Sequence, residues 1–461
     1  MTRGRVRVAD IRPWTVERPI DVPVRMSFGS LQRRILAVVE VTDTDGHTGC
    51  GETWANYPPW IEAERSATVT AGLRPLLRDA EIDLADPKGS IGALQEALVR
   101  ALWPLGRQWG APGPIMQAVS GADQALWDLA GRRLGLSVAT MASPGQGLSV
   151  ASQRASAWQL AAATEPASRV GPVPGSVSET APASAFASVT ASASELASLS
   201  QVAPASGPPS ASQLGSGSAS MPSAGRSRRR IPVYASGIGP DDVASQVRRC
   251  RQAGFAAVKL RVGFGADVDR ANLLLARQQL GCDGELLVDA NQAWSFDEAL
   301  VMAEALVAAD VAWVEEPIAD PTLDDFAAFT SCTGLAVAAG ENVYGRRAWS
   351  ALLASPDVAV IQPDVSKQGG ISELLWLCEQ AEMSGKVVEP HLYGGALAYA
   401  ATLQVAACCP AVGRVELDIR PNPVRDDLLF DPPVATDGEV TVPDGVGLGV
   451  ALRTGVGRRY R

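Results

Sequence analysis

The feature that most constrains the fold is a repeat in the second half of the chain. Short β-rich segments recur there, and each but the last is followed by an amphipathic helical segment. The segments are IPVYAS, AAVKLRV, ELLVDAN, AWVEEP, LAVAAGEN, VAVIQPD, KVVEPH and GRVELD. Alternating strands and helices predict a parallel sheet, and eight strands without a switch in pattern favour closure into a barrel.

Titratable residues occur where seven of these strands are predicted to end, at intervals of 23 to 28 residues. They are Arg261, Asp289, Glu315, Glu341, Asp364, His391 and Glu416. A single acidic residue at a strand end could be a helix cap, but seven in register cannot all be caps. Because the carboxyl ends of parallel barrel strands meet at one mouth, we expect these side chains to converge there.

Three of these carboxylates predict a metal site. Carboxylates that share a barrel mouth repel one another unless a cation lies between them. Asp289, Glu315 and Glu341 offer oxygen ligands, which suit Mg²⁺ first and Mn²⁺ second, whereas zinc would call for nearby Cys or His. Glu316 follows Glu315 directly, so in a strand only one of the two can point inward, and we expect Glu316 to order the loop.

The remaining strand ends predict acid–base groups. His391, one of two histidines in the chain, is expected opposite the metal-binding strands. Asp364, one strand earlier, can accept the other ring N–H and so fix the tautomer of the imidazole. Lys259 and Arg261 are two residues apart in one strand and share a face, so both are expected to reach the mouth.

The rest of the chain divides into three regions. The segment RILAVVEVTDTDGHTGCGE predicts a hairpin with a turn at Asp45-Gly46, and helical patterns follow it, so residues 1–135 are expected to form an α+β domain. Between residues 151 and 220, 47 of 70 residues are Ala, Ser, Pro or Gly, and we predict a disordered insertion over 139–227. The barrel is expected over 228–425, and residues 426–461 are expected to return to the first domain.

Composition restricts the partners. The net charge of -10 argues against a protein dedicated to nucleic acids or anionic membranes, and favours a small-molecule partner. No apolar stretch reaches the roughly 20 residues that span a bilayer, and no signal-peptide core is recognisable. Seven scattered cysteines do not indicate a disulfide framework. We therefore expect a cytoplasmic protein, and we also expect it to be a homo-oligomer.

The motifs as a set resemble those of the enolase superfamily, in its mandelate racemase-like subgroup. The matching segments are VKLRV, LLVDANQAW, WVEEP, AAGEN, IQPDVSKQGGIS, EPHLYGG and GRVELD, together with the N-terminal hairpin and VSGADQALWDLAGRRLGL. The resemblance implies an α+β capping domain over a modified TIM barrel of the (β/α)7β type. It also implies Mg²⁺ held by Asp289, Glu315 and Glu341, and removal of the proton α to a substrate carboxylate.

One departure from the family pattern bears on the reaction. The residue matching Arg261 is often a lysine that acts as a second base in the family, but arginine stays protonated and is a poor base. The sequence therefore favours a one-base reaction, in which His391 removes the α-proton and returns it to a leaving β-hydroxyl. That reaction dehydrates a sugar acid to a 2-keto-3-deoxy acid. Lys259 would neutralise the substrate carboxylate. Glu416 could donate a hydrogen bond to a substrate oxygen if it were protonated, and the alternative is that it is charged and structural.

Other substrate contacts and other reactions remain open from the sequence. The further candidate substrate-binding residues are Asn291, Asn342, Tyr393, Arg25 and Trp54. The same catalytic groups would serve a racemase, an epimerase or a cycloisomerase of a related acid. From other classes, Lys259 could act as the nucleophile of a Schiff-base aldolase barrel, or the chain could be a non-catalytic scaffold.

Overall fold

The fold is described from a computed structural model, which covers residues 4–27, 29–58, 60–143 and 227–460. The insertion predicted over 139–227 therefore lies, except for its first five residues and its last one, outside the described residues. No helix in the described ranges is both long and apolar enough to cross a membrane.

The first domain contains an antiparallel sheet. Its long strands are β1 (Arg5–Met26), β2 (Gly29–Asp43) and β3 (Thr48–Thr53), and the short strand β4 (Glu81–Asp83) pairs with the start of β1. β2 and β3 form the predicted hairpin, and Gly46 takes a φ of +86° in its turn. The helical part comprises α1 (Ile61–Ala67), a π-helical stretch (Thr68–Leu73), α2 (Arg74–Leu77), α3 (Pro87–Trp109), α4 (Pro112–Leu134) and α5 (Val138–Ala142).

Helix α4 packs against the sheet along most of its length. It is buried from Ile115 to Gly131. A Cβ atom on Gly51 of β3 would lie 2.2 Å from the carbonyl oxygen of Gly121, so glycine permits this close approach of strand and helix. On its other side, the Ser120 hydroxyl accepts a hydrogen bond from the N–H of Gly369 in the barrel, at 2.7 Å. The helix therefore joins the two domains.

The second domain is a closed parallel barrel. Its strands are β5 (Arg230–Ile238), β6 (Ala257–Arg261), β7 (Glu285–Asp289), β8 (Val311–Glu315), β9 (Val337–Ala339), β10 (Val358–Ile361), β11 (Val387–Val388) and β12 (Val415–Asp418). They pair in sequence order from β5 to β11, and β12 pairs with β5. A parallel bridge between Val388 and Val412 completes the ring. The fold class predicted from the sequence is therefore confirmed.

Seven helices connect these strands within the described residues. They are α6 (Val243–Gln252), α7 (Ala266–Leu280), α8 (Phe296–Ala308), α9 (Leu323–Thr333), α10 (Arg346–Ala354), α11 (Gly370–Met383) and α12 (Ala396–Cys408). The barrel interior is filled by an apolar cluster that includes Tyr234, Leu287 and Trp313. The barrel is thus a packed core rather than a pore, and open space lies at its mouth.

The C-terminal segment pairs with strands of both domains. After α13 (Pro423–Asp426), β13 (Ala435–Thr436) pairs with β14 (Glu439–Thr441), and β14 runs antiparallel to β5 of the barrel. The last strand, β15 (Arg459–Tyr460), pairs with β1 of the first domain. The end of the chain therefore lies against the first domain.

Helix α5 differs from the sequence expectation. Residues 139–142 were expected to open the insertion, but they belong to a helix that is capped by Ser137 and buried on one side. The described chain stops at Ser143 and resumes at Ser227, and the hydroxyl oxygens of these two residues lie 3.0 Å apart. The two ends that flank residues 144–226 therefore meet.

Three contacts hold the first domain over the barrel mouth. The Glu52 carboxylate at the end of β3 accepts hydrogen bonds from the N–H groups of Gly395 and Ala398 at the start of α12. The N–H of Trp54 bonds the carbonyl of Ser366, at 3.2 Å. Because these contacts involve β3 and the residue after it, they place the Trp54 side chain at the mouth.

Candidate active site

Strand register brings the predicted residues to one level of the barrel. Arg261, Asp289 and Glu315 end three successive strands and are direct neighbours in the sheet. Glu341 follows β9 by two residues, after Gly340 with a φ of +148°. A Cβ atom on Gly340 would lie 2.9 Å from the backbone nitrogen of Gln362, so only glycine lets the chain turn here against β10. Asp364 and His391 follow β10 and β11.

A cavity of about 700 Å³ lies at this mouth, between the two domains. It is lined by Met26, Trp54, Tyr57, Pro58, Gln117, Arg261, Asn291, Gln292, Glu316, Glu341, Asn342, Tyr344, Lys367, His391 and Tyr393. Its size is typical of sites for small molecules. Seven of the thirteen residues predicted for the site line this cavity, and five others are buried in the barrel outside its lining.

The three predicted metal ligands fit a hard cation. Asp289 and Glu315 are almost completely buried, and one oxygen of each, Asp289 Oδ1 and Glu315 Oε1, finds no hydrogen-bond donor among the described residues. Buried carboxylate oxygens without a partner are costly, and a cation would satisfy them. With Glu341 the donor set is all oxygen, which suits Mg²⁺.

Lys259 lies below the cavity and not in its wall. Its ammonium nitrogen is 2.6 Å from Glu315 Oε2 and 2.8 Å from Glu416 Oε1. Burial alone would lower the pKa of Lys259, but these two carboxylates raise it well above its usual value. In this structure the side chain is enclosed between these two acidic partners, and contact of Lys259 with a substrate carboxylate stays a prediction.

Glu416 also lies deeper in the barrel than the sequence predicts. It lies inside β12 rather than at its end, and it is completely buried. Burial raises the pKa of Glu416, but the charges of Lys259 and His391 outweigh this and hold it below its usual value. Its oxygens accept hydrogen bonds from the Ser236 hydroxyl and the Leu392 N–H. These contacts fit the charged, structural role that the sequence also allows, and a hydrogen bond from Glu416 to a substrate stays a prediction.

His391 has a carboxylate on each ring nitrogen. Its Nδ1 lies 2.7 Å from Asp364 Oδ2, as the sequence predicts, and its Nε2 lies 2.6 Å from Glu341 Oε2. Asp364 is held in turn, because its Oδ1 accepts hydrogen bonds from the N–H and hydroxyl of Ser366. Burial would lower the pKa of His391, but Glu341 and Asp364 raise it well above its usual value.

Arg261 stands on another part of the cavity wall. Its guanidinium donates to the sulfur of Met26 at 3.0 Å and lies 5.5 Å from the ring centre of Tyr393. Asp289 is 3.8 Å away. Its Nε has no hydrogen-bond partner among the described residues. The mouth thus carries a fixed positive charge with donor capacity to spare.

Glu316 faces the cavity as well, contrary to the strand-based expectation. The alternation of side chains is broken because Glu316 takes a φ of +40° directly after β8. Its carboxylate accepts hydrogen bonds from Asn342 and Gln292, and so does order two neighbouring loops. Burial raises the pKa of Glu316 to about 7.

Lys367 is a cavity residue that the sequence analysis missed. Its ammonium donates to Asn342 Oδ1 at 3.0 Å, lies 3.8 Å from Glu341 Oε1 and sits 4.8 Å from the ring centre of Trp54. Burial would lower the pKa of Lys367, but Glu341 holds it above its usual value. A signal was present, because Lys367 is one of four lysines in the chain and follows Asp364 by three residues.

Of the other predicted substrate contacts, Asn291, Asn342, Tyr393 and Trp54 line the cavity, whereas Arg25 does not. The Arg25 side chain is 59% exposed and pairs with Asp241 at 3.1 Å. Arg25 lies near the end of β1, where its side chain finds an acidic partner outside the mouth. This expectation is corrected.

A second acidic group lies far from the mouth, on the β2–β3 hairpin. Within the described ranges, Asp43, Asp45 and His47 are the group of three whose ligand atoms lie within 4.8 Å of one another. The barrel carboxylates do not form such a group here, where Lys259 and His391 contact Glu315 and Glu341. However, one nitrogen of Arg133 bonds all three hairpin side chains, at 2.6 to 2.8 Å. A guanidinium already neutralises this group.

Comparisons with known proteins agree with the fold. The model of the mandelate racemase / muconate lactonizing enzyme N-terminal domain matches residues 9–142, and that of the enolase C-terminal domain-like family matches residues 242–456. D-galactarolactone cycloisomerase of Agrobacterium fabrum is 26% identical, over 97% of each chain. Arabinonate dehydratase of Saccharolobus solfataricus is 29% identical over 51% of this chain and 65% of its own length.

Solved structures show the same architecture. A mandelate racemase/muconate lactonizing enzyme from Bordetella bronchiseptica RB50 has a TM-score of 0.70 and 27% identity, and the match covers 97% of this chain and 98% of that one. A racemase from Streptomyces coelicolor A3(2), solved with bound magnesium, has a TM-score of 0.69 at 22% identity, and the match covers 96% of this chain and 97% of that one. At that identity the second comparison shows the fold alone.

Proposed function

Because the chain belongs to the mandelate racemase-like subgroup of the enolase superfamily, we propose that it is a Mg²⁺-dependent dehydratase of a sugar acid. The observation that carries the proposal is that His391, paired with Asp364, lines the same cavity as a fixed arginine, Arg261. One imidazole and one permanent cation suit a reaction with a single base.

The metal would be held by Asp289, Glu315 and Glu341. When bound, it would supply positive charge that balances these carboxylates and stabilises the negative charge on a substrate carboxylate as the α-proton leaves. The orphaned oxygens of Asp289 and Glu315 support this assignment. Manganese has the same ligand preferences and is proposed as a substitute ion.

Asp364, His391 and Arg261 each have a separate role in the proposed reaction. Asp364 holds Nδ1 of His391, so that Nε2 is the nitrogen that would receive the α-proton once Glu341, which contacts Nε2 here, binds the metal instead. Arg261 stabilises the enediolate by its charge. The C–O bond at the β-carbon then breaks, and its electron pair goes to the departing oxygen. His391 returns its proton to that oxygen, so that water leaves and the resulting enol becomes the 2-keto-3-deoxy acid.

A second candidate is cycloisomerisation, which the full-length similarity to D-galactarolactone cycloisomerase favours. The two reactions share removal of the α-proton, and they differ in which oxygen leaves the β-carbon. A free hydroxyl departs as water in a dehydration, whereas a ring oxygen stays attached to the product. The same His391 would serve both.

A panel of acid sugars and their lactones tests the proposal. The purified full chain with MgCl₂ is incubated with each compound, and products are identified by keto-acid assay and mass spectrometry. We expect a product lighter than its substrate by one water. A keto acid of unchanged mass formed from a lactone would support cycloisomerisation, and the absence of any reaction across the panel would contradict both candidates.

A further inference from the structure

Lys367 occupies a position for which the proposed reaction gives no role. It lies in the loop after β10, and its ammonium lines the cavity although the side chain is only 5% exposed. The ammonium nitrogen lies 4.8 Å from the ring centre of Trp54, and it donates a hydrogen bond to Asn342 Oδ1 at 3.0 Å. Aromatic and amide contacts of this kind fix the position of an ammonium group.

The ammonium has donor capacity left. It carries three N–H groups, and among the described residues it donates one hydrogen bond, to Asn342 Oδ1. Glu341 Oε1, at 3.8 Å, is beyond ordinary hydrogen-bond distance. Because Lys367 lines the cavity, its remaining N–H groups are available to an oxygen of a bound ligand.

Lys367 is a neighbour of the proposed base. The Glu341 carboxylate touches His391 Nε2 with one oxygen and faces Lys367 with the other. In addition, the Lys367 N–H bonds the carbonyl of Asp364 at 3.0 Å, which ties the lysine to the residue that orients His391. Lys367 is therefore close enough to His391 to contact a substituent on the carbon next to the one that His391 would deprotonate.

We propose that Lys367 binds the oxygen on the β-carbon of the substrate and stabilises it as it leaves. This inference rests on the proposed function and adds the group that selects β-oxygenated acids. As the C–O bond breaks, negative charge develops on the departing oxygen, and an ammonium hydrogen bond to that oxygen strengthens. Lys367 keeps its proton throughout, because His391 supplies the one that leaves with the water.

The first test separates removal of the α-proton from loss of the β-oxygen. The variants are Lys367→Met and Lys367→Arg, and the control is Lys386→Met, whose amine bonds the carbonyls of Ser355 and Val358. For the acid that the panel identifies, exchange of the α-proton in D₂O and keto-acid release are followed in the same sample by NMR.

We expect Lys367→Met to lower the ratio of elimination to exchange by about 10- to 100-fold, the effect typical of a lost charged hydrogen bond. Lys367→Arg should recover part of the loss, and the control should leave the ratio unchanged. Equal losses of exchange and elimination in a folded Lys367→Met protein would show a structural role and overturn the inference. Absence of both exchange and keto-acid release in the wild-type protein would instead contradict the proposed function.

The second test removes the oxygen of the substrate that Lys367 is proposed to bind. The probe is the panel acid without its C3 oxygen, and its binding is measured by calorimetry in the presence of MgCl₂. Wild-type and Lys367→Met proteins should bind this 3-deoxy acid within about two-fold of each other, because the partner of the lysine is missing. A loss of affinity as large as that for the parent acid would contradict the inference.

Discussion

At the scale of single residues, the sequence predicted which residues lie at the barrel mouth better than it predicted which side chains they contact. The regular spacing of strand ends located Asp289, Glu315, Glu341 and His391 at the mouth, because parallel strands share one carboxyl end. It could not show that Lys259 is enclosed, since that depends on Glu416 of β12, which lies on the other side of β5 from Lys259 and far away in sequence. For the same reason the sequence placed Arg25 in the site and missed Lys367, since the partners of both lie in distant parts of the chain.

The metal site gives the first residue-scale prediction. Asp289→Asn should weaken Mg²⁺ binding by about 100-fold or more, because it removes one of three charged oxygen ligands. The affinity is measured by calorimetry on the metal-free full chain. Asp43→Asn is the matched control, since it alters the hairpin group that Arg133 neutralises, and it should leave the affinity within about two-fold. Weakened Mg²⁺ binding by Asp43→Asn, with no change by Asp289→Asn, would show that the metal binds at the hairpin.

At the scale of elements, the eight strands and seven helices of the barrel followed from the repeat. Two local features did not. The inward turn of Glu316 depends on a positive φ directly after β8, which the strand alternation cannot reveal. Helix α5 lies where composition predicted the start of the insertion, because its few apolar residues are buried against other elements rather than along a periodic face of its own.

Glu52, which links β3 to the start of α12, gives an element-scale prediction. Burial raises the pKa of Glu52 to about 7, against the two N–H groups that lower it. A carboxyl whose pKa is higher in the folded than in the unfolded state stabilises the fold most at low pH. That contribution is lost as the pH rises from about 4.5 to about 7.

The free energy of unfolding of the wild-type protein should therefore fall across this interval relative to Glu52→Gln, by up to about 3 kcal/mol. Denaturant titrations of both proteins between pH 4.5 and pH 8 measure the difference. A difference between the two proteins that does not change with pH would show that Glu52 has the same pKa in both states.

At the scale of the whole molecule, the two domains and the closed barrel were expected from the sequence, and the way the chain ends meet was not. Ser143 and Ser227 lie beside each other, and Arg228 is anchored to the carbonyls of Ala406, Cys409 and Val412. This anchor precedes β5, at the end of the barrel opposite the mouth. The segment between the two serines can therefore be replaced without stretching the described chain.

We predict that a short Gly/Ser linker in place of residues 145–222 leaves Mg²⁺ affinity and turnover within a few-fold of the full chain. Loop length alone changes stability slowly, and the flanking residues are already held in place. Calorimetry and the keto-acid assay compare the two proteins. Loss of turnover in a folded, Mg²⁺-binding deletion variant would show that the segment contributes to the site.

The central claim is that His391 removes the α-proton, and solvent exchange tests it most directly. The full-chain protein with MgCl₂ is incubated in D₂O with the acid identified by the panel, and loss of the α-proton signal is followed by NMR. His391→Asn should slow this exchange by about 10²- to 10⁴-fold while substrate affinity stays within a few-fold. Asp364→Asn should have a smaller effect. Exchange by His391→Asn at close to the wild-type rate would contradict the claim.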